Sequence, residues 1–269
     1  MKRQTLNQLR FIFNLFLTVL SFTSLSQAVI AQSQINNREN SDKIKILFNQ
    51  KKKTGSEEGR PTRRRGAGTR DNCPAAEIPL TALIPENKVS KVVEANPKFW
   101  FFIPYQSGKI PQGEFVLQDE DHNDVYRTNI SVDKGKGIVS ISLDSGKSLE
   151  KNKIYQWYFK LYCKDSGDSG SSYNKKSSTP IYVRGWIQRV ALKTNNQSVL
   201  NPAICGRQCV ALYAENGIWY SALNELAKLR QANPKNRILA EDWSQLLNDI
   251  GLQELSNQPI VGNLDSVDS

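Results

Sequence analysis

Histidine is almost missing from this chain: among 269 residues there is one, His122. A serine or cysteine triad would have to be built on it, and no nucleophile stands beside it in sequence. Gly-x-Ser-x-Gly, His-Glu-x-x-His, P-loop and dinucleotide-binding patterns are absent as well. Three Gly-Lys pairs (Gly108-Lys109, Gly135-Lys136 and Gly146-Lys147) fall between strand-like segments, where they read as turns rather than phosphate loops. Of catalytic chemistries, only Ser-Lys and paired-carboxylate arrangements survive this count. The expectation is a protein that is not an enzyme, with no catalytic residue and no cofactor.

The folded part also lacks net charge. The whole chain carries +10, yet residues 71–269 hold 22 basic and 22 acidic groups. The excess sits in residues 1–70, so the basic isoelectric point is no evidence of a basic binding face.

Long apolar runs are absent except at the start. Lys2, Arg3 and Arg10 precede the apolar core Phe11–Leu20, and Val29-Ile30-Ala31 offers small residues for cleavage. That order is a secretory signal over 1–31. The segment has no Arg-Arg pair and no Cys behind its core, which favours a Sec-type signal over a twin-Arg or lipoprotein one. The alternative, an uncleaved anchor, is opposed by its Ser, Thr, Asn and Gln content. The expected location is the periplasm or the exterior, with no stable transmembrane span after cleavage.

Residues 32–70 are polar and charged, with Lys51-Lys52-Lys53 and Arg63-Arg64-Arg65. Apart from Ile44–Phe48 they offer nothing to a core, so the reading is a disordered basic linker. Its expected partner, beyond solvent, is an anionic surface. Export argues against nucleic acid.

Beyond residue 70 the pattern becomes strand-like. Ile78–Pro85, Phe99–Pro104, Glu114–Gln118, Asp124–Val132, Gly137–Leu143, Lys153–Cys163 and Ile181–Val190 are short apolar or alternating runs separated by polar turns. Period-2 alternation at these intervals predicts an antiparallel β-sandwich of immunoglobulin type over 71–192, with a small barrel as the alternative. From 193 to 258 the period lengthens to that of helices. One ends at Asn216-Gly217, a second at Pro234 and a third at Gly251. Residues 259–269 read as a flexible tail.

Cys73, Cys163, Cys205 and Cys209 are even in number and, in an exported chain, are expected to pair. Three connectivities are open. Cys73 opens the folded region and Cys163 ends a strong strand, so we pair these two and, with them, Cys205 with Cys209. Four residues apart on a helix is awkward disulfide geometry, but a metal at that pair would need two more ligands.

Asp119-Glu120-Asp121-His122-Asn123-Asp124 has the density of a site. Asp119, Asp121 and Asn123 match the opening ligands of a calcium loop. Asp124 stands where that loop needs Gly, and Ile130 where it needs Glu, so no metal is assigned and a hairpin turn is the competing reading. Trp100, Phe101, Trp157, Tyr158 and Trp186 could form a sugar-stacking platform, although strand alternation sends half of them into a core.

Two resemblances add to this. Ala211-x-Tyr213, Gly217, Tyr220, Ala222-Leu223, Ala227 and Pro234 resemble a single tetratricopeptide-type hairpin, without the repeats a solenoid needs. Arg65–Pro74, Leu80–Glu86, Phe99–Tyr105, Glu114–Asp119, Gly185–Val190 and Tyr213–Tyr220 together resemble an uncharacterised family of exported cyanobacterial proteins, domain of unknown function 928, over roughly residues 65 to 262. The resemblance implies export and a strand-then-helix order, and no activity, substrate or site residue. The expected function is a non-enzymatic interaction or scaffold module of the envelope, partnered by another envelope or extracellular protein. The alternative is a polysaccharide-binding or calcium-dependent glycan-binding protein.

Overall fold

Alternating side chains need a buried face on one side of each strand, and the chain supplies it by packing two sheets. The computed structural model describes residues 44–49, 60–66, 73–108, 110, 112–163, 179–192 and 206–267. The signal segment at 1–31, Cys205 and most of the basic linker lie outside the described residues. Every element below belongs to the compact unit Lys45–Ser269; of the other unit, Met1–Ile44, only Ile44 is described.

The smaller sheet has the order β1-β3-β6-β9, from Thr81–Ala82, Lys98–Ile103, Gly137–Ser142 and Ile260–Asn263. The larger is β10-β5-β4-β7-β8-β2, from Ser266–Val267, Asp124–Ser131, Gln112–Gln118, Ile154–Tyr162, Ile181–Arg189 and Val89–Val92. Their facing sides meet through aromatic rings. Phe99 and Phe101 of β3 stand 4.7 Å from Phe115 and 4.5 Å from Phe159 respectively, and both reach Trp157 on β7. Tilted and edge-on contacts at these separations add to the area the rings bury. Among the described residues, the cysteine expectation holds for one pair: Cys73 and Cys163 are disulfide-bonded, with Cα atoms 5.1 Å apart. Cys209 is disulfide-bonded too.

The sandwich differs from the antiparallel expectation at its edges. β2 runs parallel to β8 and β9 parallel to β6. Parallel pairing needs a long connection between partners. Here 88 residues separate the end of β2 from the start of β8, and the three described α-helices lie between β6 and β9. Two assigned segments behave differently from their sequence reading. The tail expected to be flexible over 259–269 supplies β9 and β10, each completing a sheet edge. Within the linker expected to be disordered over 32–70, residues 60–66 form a strap. Arg63 pairs with Arg184 of β8 and Arg65 with Thr81 of β1, so one short segment bridges the two sheets. Composition misled because two of the three arginines are tied to acceptors in the fold, and Arg64 is buried. Arg64 donates to the Ile250 carbonyl (2.6 Å) and pairs with Glu86 (2.9 Å), and Arg65 pairs with Glu254.

Among the described residues the α-helices are α1 (Gly206–Glu215), α2 (Trp219–Ala232) and α3 (Arg237–Asn248). The Asn-Gly stop acts as expected: Gly217 sits at φ 68°, and Ile218 N–H bonds back to Tyr213. Asn236 caps α3 by accepting from Leu239 N–H. A buried bidentate pair, Arg207 with Asp242, ties α1 to α3. α2 packs against β2 and β3. Trp219 donates to the Leu83 carbonyl (2.7 Å), Trp100 to Asn224 (2.6 Å), and Tyr220 meets Phe99 edge to face. The residues that resemble a helical hairpin therefore pack the helices onto the sheets. The apolar run singled out in the linker packs as well, with Ile46 buried and Phe48 against Trp219 at 4.8 Å.

Candidate functional site

Helix α2 covers β2 and part of β3, and the core takes the inner side of the larger sheet. Alternation then decides what the larger sheet presents outward. Phe115 and Leu117 point inward on β4, so Glu114, Val116 and Gln118 point out. On β7, Trp157 and Phe159 point in, and Gln156, Tyr158, Lys160 and Tyr162 point out. On β8 the outward set is Tyr182, Arg184, Trp186 and Gln188.

Two kinds of arrangement share this face. Toward β5 lies a closed ionic knot. Glu114, buried, accepts from Lys160 at 2.8 Å and from Tyr162, and pairs with Arg127 at 2.8 Å; Arg127 also holds Asp124 at 2.7 Å. Its charges are answered within the protein. Hydrogen bonds from Gln118 and Arg127 accordingly hold the Asp124 carboxyl below its usual range.

Toward β8, Arg60 pairs with Glu120 (2.8 Å), and two other charges are not answered. Arg63 and Arg184 are directly opposite each other in the bridge between strap and sheet. Among the described residues neither guanidinium has an acidic partner, and Nε of Arg184 is buried without an acceptor. Around them stand Tyr158, directly across from Arg184, and Tyr182, 6.4 Å from Tyr158. Arg63 lies over the Tyr182 ring at 4.2 Å, and Arg60 over Trp186 at 4.7 Å. Trp186 Nε1 also donates to the Pro61 carbonyl, which leaves the indole only 9% exposed. The result is a surface of tyrosine edges and guanidinium groups whose aromatic faces are already covered. Like charges directly opposite on a sheet repel, so this pair gains from an anion placed between or above it.

The expected site residues fall elsewhere. Asp119, Asp121 and Asn123 are in the β4–β5 turn. The Asp119 carboxylate accepts from Asp121 N–H (3.0 Å), Asn123 N–H (2.8 Å) and the Asn123 amide (3.2 Å). Those bonds hold its pKa below the ordinary value and give the carboxylate a turn-building role. His122 is exposed in the same turn at φ 66°. Among the described residues no three His, Cys, Asp or Glu side chains gather as metal ligands. Of the five aromatics, Phe101 and Trp157 are core, Trp100 faces α2, and Tyr158 and Trp186 lie on the outward face. Sequence reasoning missed Tyr182, Arg184 and Arg63. The signal for the first two was Tyr182-x-Arg184-x-Trp186, one face of a strand written in period 2.

Two carboxylates also meet away from this face. Glu94 accepts from Ser221 Oγ (2.6 Å), and that hydroxyl accepts from Val93 N–H (2.9 Å). Glu225 stands near enough to feel Glu94. Burial raises the Glu225 pKa, Lys228 opposes the rise, and the charge of Glu94 adds to it. A carboxyl with a raised folded-state pKa costs nothing when both states are protonated and destabilises once pH climbs through the shifted range. Glu225→Gln is therefore expected to raise Tm at pH 7 and to leave it unchanged near pH ~3. Paired melting curves at the two pH values check this; an equal shift at both would show that charge is not the cause.

Residues 65–260 match a family model described as Domain of Unknown Function (DUF928). No curated protein matches the chain in sequence.

Proposed function

The chain belongs to that family, and from the outward face of its larger sheet we propose that it is an exported, non-enzymatic interaction module of the cell envelope or its exterior, docking an acidic patch of a partner protein. The observation that carries this is the unanswered Arg63–Arg184 pair framed by Tyr158, Tyr182 and Trp186. Tyr, Trp and Arg are the residue types that dominate binding energy at protein interfaces. Two adjacent guanidinium groups favour carboxylates, which they can bind in bidentate geometry.

Covered aromatic faces count against neutral sugars, which need an open ring to stack on. They do not count against an acidic glycan, and the test separates the two. Export is supported by the signal-like segment at 1–31 and by a disulfide that an oxidising compartment would maintain. Among the described residues no helix is long and apolar enough to cross a membrane. The same reading takes the paired sheets as an immunoglobulin-like sandwich that presents the face rigidly.

The experiment compares the full chain with its Arg63→Glu/Arg184→Glu variant in capture from envelope extract and on a column of acidic polysaccharide. Both proteins should melt cooperatively at similar temperatures, since the substitutions are on the outward face. The expected result is a stoichiometric protein recovered by the wild type and reduced at least ~30-fold in the variant, the effect of losing a hot spot of about 2 kcal/mol. Retention on the polysaccharide, lost in the variant, would transfer the reading to an acidic glycan. Equal capture by both proteins would overturn the assignment of this face.

A further inference from the structure

The last turn of α2, the outer side of α3 and the segment leading into β9 border a solvent-open cavity of about 480 Å³. Arg230, Ser244, Ser256 and Gln258 bring polar groups to it, and Pro259 and Ile260 bring apolar ones; no Asp or Glu lines it. That size belongs to the range of small-molecule sites, while the lining is more polar than apolar.

Arg230 is the unusual member. Its guanidinium lies over the Trp243 ring at 5.2 Å. Nη1 is buried and meets no acceptor, and among the described residues no carboxylate pairs with the group. Burial lowers its pKa, with no compensating charge. A cation in the last turn of a helix is ordinary, since it suits the dipole there. A buried N–H left without a partner is not, because it gives up a hydrogen bond to water and gains none. Ser256 Oγ is engaged, donating to the Gln253 carbonyl at 2.7 Å. The side chains of Ser244 and Gln258 have no such bond among the described residues and remain as donors.

We propose that this cavity binds a small molecule bearing a carboxylate on an apolar body, with the accessible N–H groups of Arg230, rather than the buried Nη1, receiving the carboxylate and Pro259 and Ile260 packing against the body. The guanidinium is planar by resonance and Trp243 restricts its orientation, which suits a two-point contact with a planar carboxylate better than a point charge would.

Sodium benzoate is the probe, titrated into the full chain at constant ionic strength, with inorganic phosphate as the second arm. Two readouts are followed: the Nε–Hε resonance of Arg230 and the melting temperature. Benzoate is expected to shift both saturably, with phosphate weaker by at least ~10-fold. Arg230→Met should abolish the benzoate response while melting no lower than wild type, because it keeps the contact with Trp243 and removes a buried charge. Arg230→Lys, which loses the fork and keeps the charge, should weaken benzoate by about 10-fold or more. An absent or unsaturable benzoate response would overturn the proposal. So would an unchanged response in either variant, or phosphate binding as tightly as benzoate, which would mark a site for bare anions.

Discussion

The Cys73→Ala/Cys163→Ala variant is expected to unfold at a much lower denaturant concentration than the wild type, with a loss of about 4–5 kcal/mol. The disulfide joins residues 90 apart. In the chain-entropy account, a cross-link stabilises by removing conformations from the unfolded chain, and a loop of that length gives a value near the top of the usual range. Its position strengthens the expectation. Cys73 lies just before β1, at the edge of the smaller sheet, and Cys163 follows directly on β7, at the centre of the larger one. Without the link, the segment entering β1 is held to the larger sheet by non-covalent contacts alone. Urea unfolding of both proteins measures the difference directly. Midpoints that coincide, with equal slopes, would show that the bond constrains nothing the fold does not already constrain.

Gly185→Ala is expected to cost about 3 kcal/mol, and Gly185→Val to prevent folding. Gly185 faces the core from β8, directly opposite Trp157 of β7. A Cβ there would come within 2.4 Å of Trp157 Cζ2 and 2.7 Å of Ile84 Cδ1. Ile84 could move its terminal methyl. Trp157 cannot yield as easily: it is fully buried, with Phe99 and Phe101 against it. Forcing volume into a filled core typically costs 1–3 kcal/mol, and this position has no direction in which to relax. The denaturation midpoint of Gly185→Ala tests it. A second variant adding Trp157→Phe should recover part of the loss, because the smaller ring vacates the space the methyl needs. If Gly185→Ala is as stable as wild type, the indole is not packed as described.

This contact gives the Gly185-Trp186 dipeptide a physical meaning that its sequence could not supply. A strand glycine signals close approach of something, but Trp157 lies 28 positions earlier and becomes its neighbour only through the register of β7 on β8. The same distinction runs through the fold. Strands β3 to β8 and all three helices were legible because each carries its own period, as in Asp124–Ser131 or Arg237–Asn248. β2, with the sequence Val-Ser-Lys-Val, and β9, with Ile-Val-Gly-Asn, are too short to show one. They are strands because an edge was waiting for them.

The outward face was half legible. Strand alternation placed Tyr158 and Trp186 as candidates, and the balanced charge of residues 71–269 argued against a cationic surface. That average is correct and hides the arrangement. The acidic groups concentrate at Glu114, Asp124 and the β4–β5 turn, which leaves Arg184 unanswered, and the strap then adds Arg63 from outside the counted region. Charge composition sums over a surface; binding depends on where the sum fails locally.

Because β9 and β10 each close an open sheet edge, this protein cannot finish folding until its last strands have been synthesised. β3 to β8 can pair as they emerge, yet β5 and β6 keep an exposed rim of backbone donors and acceptors until residues 260–267 arrive. For that interval the nascent chain presents two sticky borders, the feature that makes unfinished sheets prone to associate with other chains. A premature stop codon at or before position 260 would thus do more than shorten the protein: it would leave those borders permanently unguarded.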